Sequence, residues 1–190
     1  MKKNLLISVL MTVVTTVLLG IIYPLVVTGL AQIFFKDKAN GQLITQNGHI
    51  IGSRIIGQAF TGPAYFHSRP SSAGTGYDAA NSNGSQLGPT NHALIDRVKA
   101  DVATNQADNP GEPVPIDLVT TSGSGLDPDI TPAAAEFQIA RVARERGVSD
   151  TQLHQLIQQH TAQRQFGFLG EPRVNVLELN LDLDANHPKR

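Results

Sequence analysis

The chain has 190 residues, with sixteen acidic and fifteen basic side chains for a formal charge of -1. That length suits one domain and little more, and the near-neutral charge gives no electrostatic footing for nucleic acid. The absence of cysteine excludes disulfides, thiol nucleophiles and thiolate metal sites together, while 17 glycines and 11 prolines predict many turns and irregular segments.

Leu5 to Phe35 is a run of 31 residues without a charge, bounded by Lys2 and Lys3 before it and by Lys36 and Lys38 after it. A hydrocarbon core about 30 Å thick takes roughly 20 helical residues, so the run spans a membrane once with some left over, and two spans do not fit. Pro24 removes one backbone donor inside it and predicts a kink. A secretory apolar core has roughly 7 to 15 residues, which favours an uncleaved anchor over a signal cut after Gly29 and Ala31. Lys2, Lys3 and the amino terminus outweigh the far flank, where Asp37 offsets Lys36 and Lys38, so the amino terminus is expected inside. Thr12, Thr15, Thr16 and Thr28, with Gly20 and Gly29, allow another helix to approach closely.

The remainder is mildly acidic, because Lys2 and Lys3 fall outside it. Gly41 to Gly48 reads as a turn-rich lead-in, and Ile50, Ile51, Ile55 and Ile56 as short buried strands broken by Gly52 and Gly57. Ser68 to Pro89 is dominated by Ser, Gly, Asn and Pro and reads as a long loop. Leu94, Val98 and Val102, four apart, mark a short helix within Thr90 to Thr104. Three prolines punctuate Asn105 to Pro115, and Ile116 to Thr121 reads as a short strand before a glycine-rich turn. Thr131 is a good N-cap with Pro132 at the first helical position, and the predicted helix continues through Phe137, Ile139, Ala140, Val142 and Ala143 to Arg146, closed by Gly147. Ser149 and Gln152 form a capping box for a second helix, whose Leu153, Leu156, Ile157 and His160 share a face. Leu177, Leu179, Leu181 and Leu183 alternate with Glu178, Asn180 and Asp182, the period of a half-buried strand. The expected class is α+β: a single transmembrane helix in an anchor of residues 1–36, then a small mixed α/β extracytoplasmic domain of residues 37–190 in which two helices cover a small mixed sheet.

Candidate chemistry is sparse. The six histidines, His49, His67, His92, His154, His160 and His187, include no HExxH, and the six-residue spacing of His154 and His160 separates them on a helix. Ser122 to Gly125 reads as a turn, since no Walker lysine and no GxSxG accompany it. Asp127 and Asp129 bracket Pro128 ahead of the Thr131 helix, where they can complement orphan amides or touch a cation. Gly74 to Tyr77, GTGY, resembles the glycine-tyrosine of a potassium filter, but a filter needs several such loops within the membrane. Arg69, before Pro70, can pair with a carboxylate of its own domain or of a neighbouring subunit. No nucleophile, base and oxyanion site assemble, so residue chemistry alone yields a single-span protein with an extramembrane domain of open purpose.

Several long segments in a fixed order carry a resemblance: the anchor with Tyr23 and Pro24, GQAF at Gly57 to Phe60, YFHSRPSSAG at Tyr65 to Gly74 and GYDAANSNGSQLGPTN at Gly76 to Asn91. VPIDLVTTSGSGLDPDITPAAA at Val114 to Ala135, RVARERG at Arg141 to Gly147 and FLGEPRVNVLELN at Phe168 to Asn180 complete it, with the closing LDLD. Over nearly its full length the chain resembles the C subunit of the bacterial high-affinity potassium-transporting ATPase, the Kdp complex. The resemblance implies a non-catalytic accessory subunit of the inner membrane, with its main domain periplasmic, that assembles and stabilises the pump. Implied partners are a channel-like potassium-path subunit, which it chiefly contacts, a P-type ATPase catalytic subunit, a very small stabilising membrane subunit and membrane lipids. ATP, magnesium and potassium are then handled by the complex; this chain has neither the DKTGT sequence of P-type pumps nor a Walker loop.

Gln86 stands where that family usually has asparagine, Asp129 where histidine is common and Thr131 where serine is. The loops Tyr65 to Gly76, Ser82 to Asn91 and Ser122 to Asp129 are the expected partner surface, with Arg69, Tyr77, Asn83, Asn91 and Asp127 as contact candidates; the alternative is that these residues only brace one another. A membrane-tethered extracytoplasmic solute-binding protein is the other functional class the sequence admits.

Overall fold

An apolar run in lipid must satisfy its backbone internally, which a helix does. In the computed structural model, which describes residues 2–188, the run is α1 (Lys2–Val17), a π-helical segment (Leu18–Ile22) and α2 (Tyr23–Phe34). Together they make one 33-residue apolar helix with no buried residue, roughly 50 Å long at 1.5 Å per residue. The π segment falls just before Pro24: the Tyr23 amide reaches back to the Leu18 carbonyl, a widened turn at the point where proline removes a donor. Ser8, Thr12 and Thr15 return their hydroxyls to carbonyls of the same helix at 2.8–2.9 Å, so these side chains remain hydrogen-bonded in an apolar surrounding.

The chain divides into two compact units, Met1–Ile51 and Gly52–Arg190. After the long helix, the first unit holds the short α3 (Lys36–Ala39) and β1 (Leu43–Gln46), which pairs with β2 (His49–Ser53). Asn47 and Gly48 join the strands at φ +51° and +80°, the left-handed pair that a type I′ turn requires. The lead-in is therefore a hairpin. The expected buried isoleucine strands are corrected by it: Ile50 and Ile55 are more than half exposed, and the chain turns at Arg54–Ile55.

The second unit carries a three-stranded antiparallel sheet of β3 (Asp129–Ile130), β4 (Thr161–Ala162) and β5 (Arg173–Asn175), in the order β3-β5-β4, rather than a mixed one. Val174 in the central strand faces Ile130 on one side and Thr161 on the other. Helices α5 (Pro132–Phe137), α6 (Ile139–Arg146), α7 (Asp150–Gln159) and α8 (Val176–Asn186) pack with the sheet around Phe66, Ile130, Val142, Leu153, Ile157, Val174, Leu179 and Leu183. Their starts and stops follow the sequence. Thr131 accepts from the Ala134 amide at 3.2 Å, Gly147 closes α6 at φ +68°, and Ser149 and Gln152 form the capping box of α7. Helix α4 (His92–Asp108), capped by Asn91, starts within the expected Thr90 to Thr104 and runs four residues beyond it.

Four further expectations are corrected. Ile116–Leu118 is a turn of 3₁₀ helix instead of a strand; it buries Asp117, whose carboxylate accepts the Thr131 amide at 2.7 Å. The helix from Pro132 breaks at Gln138, whose side chain turns inward to bond both the Ala134 carbonyl and the backbone of His67. His160 lies past the end of α7 and pairs with Asp182 at 2.8 Å, off the apolar face of Leu153, Leu156 and Ile157. Finally, the alternating leucines form α8 instead of a strand. Asn175 caps it by accepting from the Glu178 amide, and Val176, Leu179, Asn180 and Leu183 fall three and four apart on its buried face. Leu181, which a strand would have put beside the others, is only half-buried.

One segment without regular structure is held to these helices entirely by side chains. Asn180 of α8 accepts the Phe66 amide and donates to the Phe66 carbonyl, both at 2.9 Å, and Gln138 does the same for His67 at 2.7 and 3.1 Å. Arg141 donates to the carbonyls of Pro63 and Tyr65, and Arg146 to Ala64 at 2.7 Å. The Arg146 guanidinium also lies 4.8 Å from the Tyr65 ring centre and binds Asp184 at 2.7 Å.

Asn180 is 1% exposed, so Asn180→Leu strands two buried backbone groups of Phe66. We expect it to cost about 2–4 kcal/mol in chemical denaturation of the full chain. Asn180→Asp, which keeps the shape but replaces the donor with a buried carboxyl facing the Phe66 carbonyl, should also be destabilising; a neutral result for both would remove this clasp from the stability of the domain.

Candidate partner-binding surface

Two long loops, residues 68–91 and 119–129, have little regular structure of their own, and side chains stitch each to the other. Arg69 is the main stitch. Its Nη1 pairs with Asp127 Oδ2 at 3.2 Å, Nε donates to the Thr120 carbonyl at 3.3 Å, and Nη2 reaches Thr120 Oγ1 and the Thr121 carbonyl. Tyr77 closes the other side by donating its hydroxyl to the Arg69 carbonyl. Ser71 Oγ donates to the Gly125 carbonyl at 2.6 Å and accepts the amides of Ala73 and Tyr77.

The second contact is made backbone to backbone. The Asn83 amide donates to the Ser124 carbonyl at 2.9 Å, and Ser82 Oγ donates to the same oxygen. Such an approach leaves no room for a side chain at Gly125, which has φ +67° and whose added Cβ would lie 2.6 Å from the Asn83 carbonyl oxygen and 2.7 Å from the Ala73 nitrogen. Asn83 Oδ1 also receives Gln86 Nε2 at 2.8 Å. Thus Arg69, Tyr77, Asn83 and Asp127 belong to one stitched platform. Asn91 stands apart as the cap of α4, accepting the Ala93 amide at 2.9 Å.

Of the two partners open to Arg69, the carboxylate is that of its own domain. The aspartates ahead of α5 do not serve that helix, which corrects the expectation for them. Asp127 binds Arg69 and the Asp129 amide; Asp129 pairs with Arg173 at 2.9 Å and with Asn175. Burial pushes the Asp129 carboxyl up, against the opposing pull of Arg173. Among the described residues, no three His, Cys, Asp or Glu side chains gather as a metal ion requires. Gln138 and Asn180 position the platform's root at Phe66 and His67; Asn180, expected on the polar face of a strand, is instead buried at 1% exposure, and an amide inside an otherwise apolar helical stripe is the signal the sequence offers for both.

Arg69→Ala should lower the stability of the full chain by about 2 kcal/mol, since several charge-assisted bonds go at once, and Arg69→Lys should recover little because one ammonium cannot reach acceptors on both sides. Thermal melting in detergent would measure both.

His67 gives a pH dependence. Burial and then Arg141 lower its pKa from 6.5, and its ring donates to the Gly62 carbonyl at 3.0 Å. The unfolded chain therefore binds a proton below pH 6.5 that the folded chain resists, so this contribution to stability is present above 6.5 and falls as the pH drops toward the lowered value. Comparing denaturation midpoints at about pH 7.5 and about pH 5.5 should show wild type losing more than His67→Gln.

Comparison with known proteins gives this arrangement its context. The family described as "KdpC: K+-transporting ATPase, c chain" matches residues 5–185. A potassium-transporting ATPase KdpC subunit of Koribacter versatilis (strain Ellin345) is 73% identical over 188 residues, covering 99% of this chain and 97% of the relative. One from Acidobacterium capsulatum is 56% identical over 180 residues, covering 95% and 97%, and one from Rhodospirillum rubrum is 57% identical over 175 residues, covering 91% of each. The match runs from the apolar helix through α8, and the chain belongs to the KdpC family.

Proposed function

We propose that the chain is the non-catalytic accessory subunit of an ATP-driven, high-affinity potassium uptake complex, which it assembles and stabilises. The observation that carries this is the full-length match to potassium-transporting ATPase KdpC subunits, which includes both the apolar helix and the second unit. In this reading residues 1–36 form an uncleaved single-pass anchor in the bacterial inner membrane with a cytoplasmic amino terminus, supported by Lys2 and Lys3. Residues 37–190 form the periplasmic domain. ATP hydrolysis and its magnesium belong to a P-type ATPase subunit and the potassium path to a channel-like subunit, with a very small subunit stabilising both.

The channel-like subunit is the direct partner, and the stitched loops are the surface offered to it. Arg69, Tyr77 and Asp127 act by holding loop shape, because their polar groups are already bonded inside the domain. Exposed Gly74–Gly76, Ala79–Asn83, Gly123 and Ser124 make the contact itself, with Asn91 at the head of α4 beside them in sequence. Loops of small residues fixed in advance lose little entropy on docking, which suits a stabilising subunit.

Purification of the tagged full chain in mild detergent, from native membranes grown under potassium limitation, tests the proposal through the composition and intact mass of what accompanies it. Recovery with a channel-like subunit and a P-type ATPase is the expected result. A lone chain, from membranes shown to contain both pump subunits, would overturn it.

A further inference from the structure

The segment between β4 and β5 holds the largest exposed aromatic side chains of the second unit. Phe166 is 87% exposed, Phe168 70% and Leu169 47%. They sit on a tight hairpin in which Gln165 and Leu169 exchange both backbone hydrogen bonds at 2.9 Å, and the Phe168 amide returns to the Gln165 carbonyl. Arg164 and Glu171 pair across its base. The tip is therefore ordered, and its apolar groups turn away from a core that the same chain fills well elsewhere.

The turn residue is the telling feature. Phe166 and Gly167 have φ +52° and +80°, the left-handed pair of a type I′ turn, a position where asparagine or glycine is favoured and a bulky aromatic is strained. Asn47 and Gly48 take the same pair of φ values, +51° and +80°, in the two-residue turn between β1 and β2, whereas three residues, 166–168, lie between the bridged Gln165 and Leu169 here. Local folding thus favours asparagine at 166, and the phenylalanine there works against both turn preference and solvation. Conflict of this kind with local propensity is characteristic of functional positions.

We propose that the Phe166–Leu169 tip is an aromatic anchor that inserts into an apolar pocket on the extracytoplasmic side of the channel-like partner subunit. This rests on the accessory-subunit reading above. Charge selects a protein pocket over a lipid surface: Arg164 is paired with Glu171 and Arg173 with Asp129, so the tip brings no free cation of its own to lipid phosphates. Area argues against a second copy of the chain. The three side chains offer on the order of 400 Å², about half of what one side of a stable complex buries. Such a patch suits one fully desolvated anchor in an association that other surfaces also hold.

Phe166→Asn is the discriminating variant, since it places ahead of Gly167 the residue that takes the same left-handed φ ahead of Gly48 in the first hairpin. In the full chain it should leave the melting temperature unchanged or raise it, while the chain dissociates from the purified complex about tenfold faster or more. A phenylalanine analogue carrying a photoreactive benzophenone at 166 should crosslink to the channel-like subunit in native membranes. Wild-type complex with unaltered dissociation of Phe166→Asn, or crosslinks only to lipid or to another copy, would overturn the anchor alone. Failure of the wild-type chain to bring down its partners would instead overturn the proposed function, and the anchor with it.

Discussion

The second unit depends on how it satisfies the backbone of Pro63–His67. This stretch runs beside the core, with Phe66 fully buried, yet joins no sheet. Buried carbonyls and amides without partners would each cost about 1–3 kcal/mol. Instead, Gln138, Arg141, Arg146 and Asn180 supply the hydrogen bonds that a neighbouring strand would have supplied. The four come from α6, α8 and the joint before α6. The arrangement therefore locks those helices to one another as well as to the segment, and it explains why two arginines and two amides lie buried in so small a core.

The platform follows from that clasp. His67 is fixed through both backbone groups, and two residues later Arg69 begins the bonds that define the loops. Long loops without secondary structure normally carry a large ordering cost. Here the cost is met by side-chain bonds to backbone and by the close backbone approach at Gly125, whose missing Cβ lets residues 83 and 124 pair. The loops are rigid because they are anchored at the root and stitched along their length.

The elements legible in the sequence were those with local instructions. Thr131 with Pro132, Ser149 with Gln152, and Gly147 each act within four residues, and each appears where its chemistry places it. The apolar helix was equally plain. The leucine alternation of 177–183 has the period of a strand, yet Leu179 and Leu183, four apart, share a helical stripe with Val176 and Asn180, and the deciding signal is Asn175, an N-cap that no strand requires. Asn47-Gly48 carries a turn signal in the sequence, but the hairpin it closes shows only once β1 and β2 are seen to pair. The site was less legible. Arg69 stands out, but the sequence does not choose its carboxylate between its own domain and a neighbour, since 58 residues separate it from Asp127. Gln138 and Asn180 could not be ranked at all, because their worth lies in bonds across 71 and 114 residues to a backbone that has no pattern of its own.

These features bear on how a subunit without chemistry of its own can stabilise others. Affinity in an assembly is what remains after ordering costs, and a domain whose loops and hairpin tip are fixed in advance pays little on docking. The arginines serve that end by being used internally: Arg69, Arg141, Arg146, Arg164 and Arg173 all have carboxylate partners within the chain. Arg69, Arg164 and Arg173 are so neutralised nearer the surface, while Arg141 and Arg146 are used inside the core, so the paired arginines contribute little to steering distant charged partners. In the proposed assembly recognition then rests on shape and on desolvated apolar groups, which reward close fit, and a shared membrane would raise the effective concentration that turns a modest contact into a durable one.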